Sequence, residues 1–415
     1  MERVNFEYSM KNIPFTSKSE YTKRLIEKTE SVLKRMRWKA FFFLNPEIKA
    51  EEKETYGFNS RKTPPQIDEM IKFEDDLLQL IGNIKFRKTN CRFQSNLQKD
   101  IRKIKNSDHL LIPADKTNNY YKLSRVEYEK LLKDNTTAKY TRTSNTEIAQ
   151  INAEAKRIAK HLNLADRIET VAQRPAFITI KDHKDNFPNR VQCRLINPAK
   201  SDIGTVSKSI LDRINKKLLD ATKVQQWKNT QSTINWFSSI SDKENSTFLV
   251  FDVVDFYPTI SQDLLNSALD FASDFTTISE DDRNIIMHAK KTLLFHNGTP
   301  WHKSTPPHLF DVTMGSYDGA ETCELTGTFL LNKIKHLFDN NVGLYRDDGL
   351  AVVHNRTPAQ INRTAKQLIK IFQEYGLKIT INQNIKIVNF LDVTLNLNDG
   401  SYRPYMKPNN ITHYV

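Results

Sequence analysis

Two carboxylates stand side by side at Asp347-Asp348, inside the stretch Gly343-Leu344-Tyr345-Arg346-Asp347-Asp348-Gly349-Leu350-Ala351-Val352-Val353. Held close together, like charges resist joint ionisation unless a cation neutralises them. Paired oxygen ligands on a rigid tip suit a hard divalent cation such as Mg²⁺. A third carboxylate, Asp252, interrupts the apolar run Phe248-Leu249-Val250-Phe251-Asp252-Val253-Val254. A lone acid in such a run is costly unless it is paired or binds a metal. Three carboxylates converging from two strands could clamp two metal ions on the attacking and leaving oxygens of a phosphoryl transfer. Asp255 is close by, but at a strand exit it reads first as a cap for the next turn or helix.

The elements that must carry these acids follow from the hydrophobic pattern. Asp348-Gly349 between two apolar runs predicts a β-hairpin with an Arg-Asp-Asp-Gly tip, and a plain hairpin satisfies that pattern as well. The run 248–254 is apolar on both faces, as a central strand covered on both sides would be. A helix is predicted from Ser17 to Phe43, opened by a Ser17-x-x-Glu20 capping box, with Leu25, Ile26, Val32, Leu33 and Met36 as its buried stripe. Others run from about Gln66 to Asn83, from Thr205 to Lys223, from Thr322 to Leu337 and from Pro358 to Tyr375, where Gly376 caps the end. Hairpins or strand pairs are expected at Leu110 to Tyr121, around Lys181 and Arg194, at Asn297-Gly298-Thr299, and from Lys378 to Leu395. The fold class expected is therefore α/β (α+β).

At 415 residues the chain can bury a large core and divide into two or three subdomains. Lys plus Arg number 62 against 49 Asp plus Glu, and the net charge of +13 suggests a polyanionic partner, most simply nucleic acid. Cys91, Cys193 and Cys323 lie far apart with no CxxC pair, which points to reduced thiols inside the cell rather than a zinc ribbon or disulfide framework. The N-terminus is polar, without a secretory signal, and no apolar run approaches membrane-spanning length. Lys208, Arg213, Lys216 and Lys217 lie off the apolar stripe of the 205–223 helix, forming a solvated face or a nucleic-acid contact.

Asp252 followed five positions later by Tyr257, with Tyr345-Arg346-Asp347-Asp348 downstream, resembles the palm of a reverse transcriptase. More narrowly, the chain resembles the polymerases of Penelope-like retroelements, from about Asp108 to the C-terminus. Lys181-x-His183-Lys184 resembles their fingers box, and Arg194-Leu195-Ile196 its second strand. Met314-Gly315-Ser316-Tyr317-Asp318-Gly319-Ala320-Glu321 stands at the template-and-base box, and Val388-Asn389-Phe390-Leu391-Asp392-Val393 at the element that grips the primer. Ala114-Asp115-Lys116-Thr117 resembles a box upstream of the fingers, read either as a template contact or as a structural hairpin. The chain departs from the family at Thr117, where Gly is usual, and at Gly319-Ala320, where Ser-Pro is more usual.

The resemblance implies a right-hand polymerase: a basic helical N-terminal extension (1–106), fingers (107–245), a palm of antiparallel sheet backed by helices (246–385), and a primer-grip-like hairpin (386–415), ending before a thumb. It implies catalysis and metal binding by Asp252, Asp347 and Asp348, with two Mg²⁺ ions and Mn²⁺ as the alternative. Lys181, Arg194, Tyr257 and Gly315 would serve the nucleotide, Tyr257 by leaving no room for a 2′-hydroxyl. Lys184, Lys208, Lys216 and Phe390 would touch nucleic acid, and Lys386 is by position either a proton donor to pyrophosphate or an exposed strand lysine. The expected reaction is RNA-directed DNA polymerisation. The expected partners are an RNA template, a DNA primer and deoxynucleoside triphosphates, inside the cell and chiefly in the nucleus. The alternative is a catalytically inactive nucleic-acid-binding remnant of a retroelement.

Overall fold

The structure is a computed structural model that describes residues 2–4, 17–48, 56–58, 61–87, 106–168, 173–184 and 186–406, with isolated positions 96, 99 and 102. Cys91 lies outside the described residues. First come strand β1 (Glu2–Val4) and helices α1 (Lys18–Leu44) and α2 (Asp68–Asn83). Then follow β2 (His109–Pro113), β3 (Tyr120–Ser124), α3 (Arg125–Thr137), β4 (Tyr140–Arg142), α4 (Asn145–His161), β5 (Phe177–Ile180), β6 (Cys193–Ile196), α5 (Asp202–Thr222), β7 (Gln225–Gln226) and α6 (Thr230–Ser239). Strand β8 (Ser246–Val253) leads into α7 (Phe256–Thr259), α8 (Gln262–Ser273), α9 (Glu280–Ala289), β9 (Leu294–His296), β10 (Thr299–Lys303) and α10 (Gly319–Ile334). Then follow a 3-10 helix (Lys335–Phe338), β11 (Val342–Tyr345), β12 (Asp348–His354), α11 (Pro358–Glu374), β13 (Ile379–Ile385), β14 (Ile387–Phe390), β15 (Val393–Asn396) and β16 (Tyr402–Pro404).

Strand β8 is central because both of its faces are apolar. It lies between β13 and β12 in a five-stranded sheet of order β13-β8-β12-β11-β7, antiparallel except where β7 joins β11. Leu249, Phe251 and Val253 alternate onto one face, in the main core with residues of α5, α8, α10 and α11. Phe248 points to the other face, where Leu350, Val352, Trp227, Trp236, Phe237 and the β14–β15 residues Val388 and Leu395 cover it. A strand sealed on both sides reads as a continuous apolar run, which is the pattern seen from 248 to 254.

Helix boundaries follow their caps closely. Ser17 accepts from the Glu20 N–H at 3.2 Å, and Val206, Ile210, Ile214 and Leu218 on α5 are all buried. Asn297 and Gly298 both take positive φ, 49° and 72°, in the two-residue turn of the β9–β10 hairpin, which is the geometry Asn-Gly favours. The α1 stripe departs from expectation. Leu33 is buried, but Val32 and Met36 are exposed, because α1 packs chiefly against α2, to which an Arg37–Glu74 pair joins it (Nε–Oε1 2.6 Å).

The stretches 107–245 and 246–385 do not separate cleanly. Strand β4 pairs with β10, and β7 with β11, so each contributes to a sheet of the other. These pairings join residues more than a hundred positions apart, beyond the reach of a local pattern.

Candidate active site

The hairpin that carries the paired acids turns two residues earlier than Asp348-Gly349 suggests. Tyr345 pairs with Asp348, leaving Arg346 and Asp347 as the two turn residues. Arg346 takes the left-handed conformation, φ 55°, which costs a non-glycine residue about 1–3 kcal/mol and persists only where the surroundings enforce it. Here the Val253 N–H donates to the Asp347 carbonyl at 2.9 Å, tying the tip to β8. Gly349 sits inside β12 instead. A Cβ there would lie 2.2 Å from the Phe251 ring, so the glycine lets two neighbouring strands close over that ring.

Asp252 stands opposite Asp348 in the β8–β12 register, on the sheet face shared with Phe248 and Leu350. Asp252 and Asp347 both line a cleft of about 340 Å³ at the end of these strands; Asp348 is not among its lining residues. The Asp252 carboxyl is pushed above the usual carboxylate range, first by desolvation and then by the neighbouring Asp347 charge.

Cations line the same cleft. Lys181 and Lys184 reach the cleft from the β5–β6 connection and Arg194 from β6. Arg194 Nη1 lies 3.3 Å from Asp115 Oδ1. Burial lowers the Lys181 ammonium pKa, and the Arg194 charge lowers it further. Tyr257, buried on α7, lines the same cleft. Desolvation pushes its phenol well above the ordinary range. Packing therefore fixes the ring at the cleft wall.

The acids could hold a hard divalent cation. Among the described residues no three His, Cys, Asp or Glu side chains cluster into a cage. Mg²⁺, however, is commonly held by one or two carboxylates with water and substrate phosphates completing its shell. Asp252 and Asp347, repelling each other in a cleft also lined by cations, are such an incomplete donor set.

Other expected site residues are placed differently. Gly315 does not line the cleft; a Cβ on it would lie 2.1 Å from the Asn197 carbonyl oxygen, so it serves backbone packing, while its neighbours Thr313 and Met314 face the cleft. Lys208 is engaged by Glu321 and by Asp212 at 3.1 Å, so its charge is shared with acids of the fold. Phe390 is buried, 5.4 Å centroid to centroid from Trp227, and is a core aromatic rather than a nucleic-acid platform. Lys216 is exposed on α5. Lys386 donates to the Glu244 carbonyl at 2.5 Å. Asp255 begins α7 with φ 50° but makes no side-chain cap, and pairs with Lys139 at 3.1 Å.

Several cleft residues escaped sequence reasoning. Lys139 and Tyr140 arrive from the α3–β4 segment, for which no local signal existed. Asp311 is buried and accepts from the Tyr140 hydroxyl at 2.6 Å; burial raises its carboxyl, and Lys303 opposes that shift. Phe310-Asp311-Val312 carries the same signal as Asp252, an acid between apolar neighbours. Behind the cleft, Asp318 forms a buried pair with Lys290 (2.5 Å) and accepts from Ser207 (2.5 Å), anchoring the start of α10.

The sequence matches no protein-family model and no curated protein. The fold is similar to that of apo telomerase from Candida tropicalis, with TM-score 0.53, 11% identity, and coverage of 79% of this chain and 65% of that one. It is also similar to telomerase from Candida albicans in complex with a TWJ fragment of telomeric RNA, with TM-score 0.52, 11% identity, and coverage of 85% of this chain and 60% of that one. The chain thus spans under two thirds of either structure's length. Its architecture is the fingers-and-palm fold of polymerases, of the reverse-transcriptase-like kind.

Proposed function

We propose that this chain is the fingers-and-palm core of an RNA-directed DNA polymerase of the kind that Penelope-like retroelements encode. The observation that carries the reading is a single cleft in which Asp252 and Asp347 stand with Lys181, Lys184 and Arg194, with Tyr257 in its wall. Bound at Asp252 and Asp347, Mg²⁺ would supply the charge neutralisation that transfer of a nucleotidyl group to a primer 3′-hydroxyl requires. The protein's own part is positioning and electrostatics, which carry most of such chemistry. Arg194 presents a planar fork to phosphate, Lys181 a point charge, and the Tyr257 ring bulk beside the sugar. The net charge of +13 supports a nucleic-acid partner, as does the RNA bound by the Candida albicans telomerase of similar fold.

The test is extension of a DNA primer on an RNA template with Mg²⁺ or Mn²⁺, comparing deoxy- with ribonucleotides. Extension with deoxynucleotides that Asp252→Asn abolishes is the expected result. Template-duplex binding with a steep salt dependence, but no extension with either ion, would instead support the inactive nucleic-acid-binding remnant.

A further inference from the structure

The β2–β3 hairpin ends in a loop, residues 114–119, that is anchored far more firmly than a connector needs. Within it the Ala114 N–H donates to the Asn119 carbonyl at 2.9 Å, and the Asp115 N–H donates to Ile180 at 2.7 Å. The buried Asp182 carboxylate accepts from the Thr117 hydroxyl (2.8 Å), the Asn119 amide (2.7 Å) and the Tyr121 hydroxyl (3.0 Å) through one oxygen. His183 Nδ1 lies 3.1 Å from the Asp115 carbonyl oxygen. At the tip of this rigid loop Lys116 takes φ 68°, a conformation that disfavours lysine and suits glycine or asparagine. That backbone places Lys116 in the lining of the cleft that holds Asp252 and Asp347.

Five cations line the cleft: Lys116, Lys139, Lys181, Lys184 and Arg194. Lys139 faces Asp255 and Arg194 faces Asp115. Among the described residues, Lys116, Lys181 and Lys184 form no ion pair. Cations without ion pairs, gathered in one cleft beside Asp252 and Asp347, call for a compact anion of several charges. The spaced single charges of a template backbone meet that need less well. Lys116 and Lys184 line the same cleft as Asp252 and Asp347. The Asp115–Arg194 contact is single: Asp115 Oδ2 and Arg194 Nε are buried without a hydrogen-bond partner. One contact orients the guanidinium and leaves Nη2 for a phosphate.

We propose that this loop is a second phosphate-binding element of the nucleotide site, Lys116 contacting the triphosphate and Asp115 acting as a positioning residue for Arg194. The proposal rests on the polymerase reading above, and its test does not use turnover. The probes are deoxyadenosine triphosphate and inorganic tripolyphosphate, each with Mg²⁺, and an RNA–DNA duplex, all titrated against the full chain. Lys116→Asn removes the charge while favouring the left-handed backbone, so the loop keeps its shape. It should weaken both triphosphates about tenfold or more and leave the duplex within about twofold. Lys116→Arg should restore most of the loss, and Asp115→Asn should weaken triphosphate binding only while Arg194 is present.

Equal losses on triphosphate and duplex would make Lys116 a template contact and overturn the proposal. Unchanged affinities in Lys116→Asn would make the loop purely structural. Wild-type protein that binds triphosphates through Lys116 but extends no primer would overturn the polymerase reading and leave this site standing; wild-type protein that binds no triphosphate would overturn both.

Discussion

Asp252 on β8 and Asp348 on β12 face one another across adjacent antiparallel strands, while Asp347 occupies the turn and shares the cleft with Asp252. The three acids are therefore not equivalent. Asp252→Asn and Asp347→Asn should each abolish primer extension, slowing turnover by about a thousandfold or more. The double variant should cost little beyond either single one, because the pair acts as a unit. Asp348→Asn should be milder. Rates of single-nucleotide addition, with duplex affinity as control, decide the matter; equal activity of Asp347→Asn and the parent would sink the metal-site assignment.

Tyr257 is buried as well as cleft-lining, so truncating it has two consequences. Tyr257→Ala should admit ribonucleotides, and it should also lower stability by about 3–5 kcal/mol as a large core truncation. Tyr257→Phe keeps the ring and should keep the sugar preference. Extension with ribo- and deoxynucleotides below the melting temperature separates the effects. An unchanged preference in Tyr257→Ala would make the residue core alone.

Lys181 has a lowered pKa, chiefly from burial and then from Arg194. A lysine is charged below its pKa, so a lowered value means its charge is lost at a lower pH than usual. Nucleotide affinity should weaken as pH rises, beginning below the ordinary lysine value of about 10.4. Lys181→Arg should flatten that limb, since arginine stays charged throughout. Triphosphate titrations across the alkaline range check this; identical profiles for both proteins would remove Lys181 from the phosphate site.

Phe390 fills the apolar cluster with Trp227 and Trp236, against the sheet face that carries Phe248 and Leu350. Phe390→Ala should cost about 3–5 kcal/mol of stability. Duplex affinity should hardly change where the variant remains folded. Denaturant unfolding beside a binding titration makes the comparison, and a selective loss of binding would return Phe390 to the primer.

The sequence by itself determined the elements and the acids. Period-two and period-3.6 patterns, caps at Ser17 and Gly376, the Asn297-Gly298 turn and an acid interrupting an apolar strand are local signals, because each arises from a residue and its near neighbours along the chain. Tertiary structure decided which of those residues meet. Gly349 looked like a turn glycine, yet the Phe251 ring on the next strand is what requires it. Lys208 looked like a free basic charge until α10 brought Glu321 to it, and Phe390 like a surface aromatic until Trp227 covered it. Lys116, Lys139 and Asp311 join Asp252 only through pairings such as β4 with β10 and the docking of 114–119 on β5. Contacts of that range depend on packing and register summed over the whole fold, and no window of the sequence contains both partners.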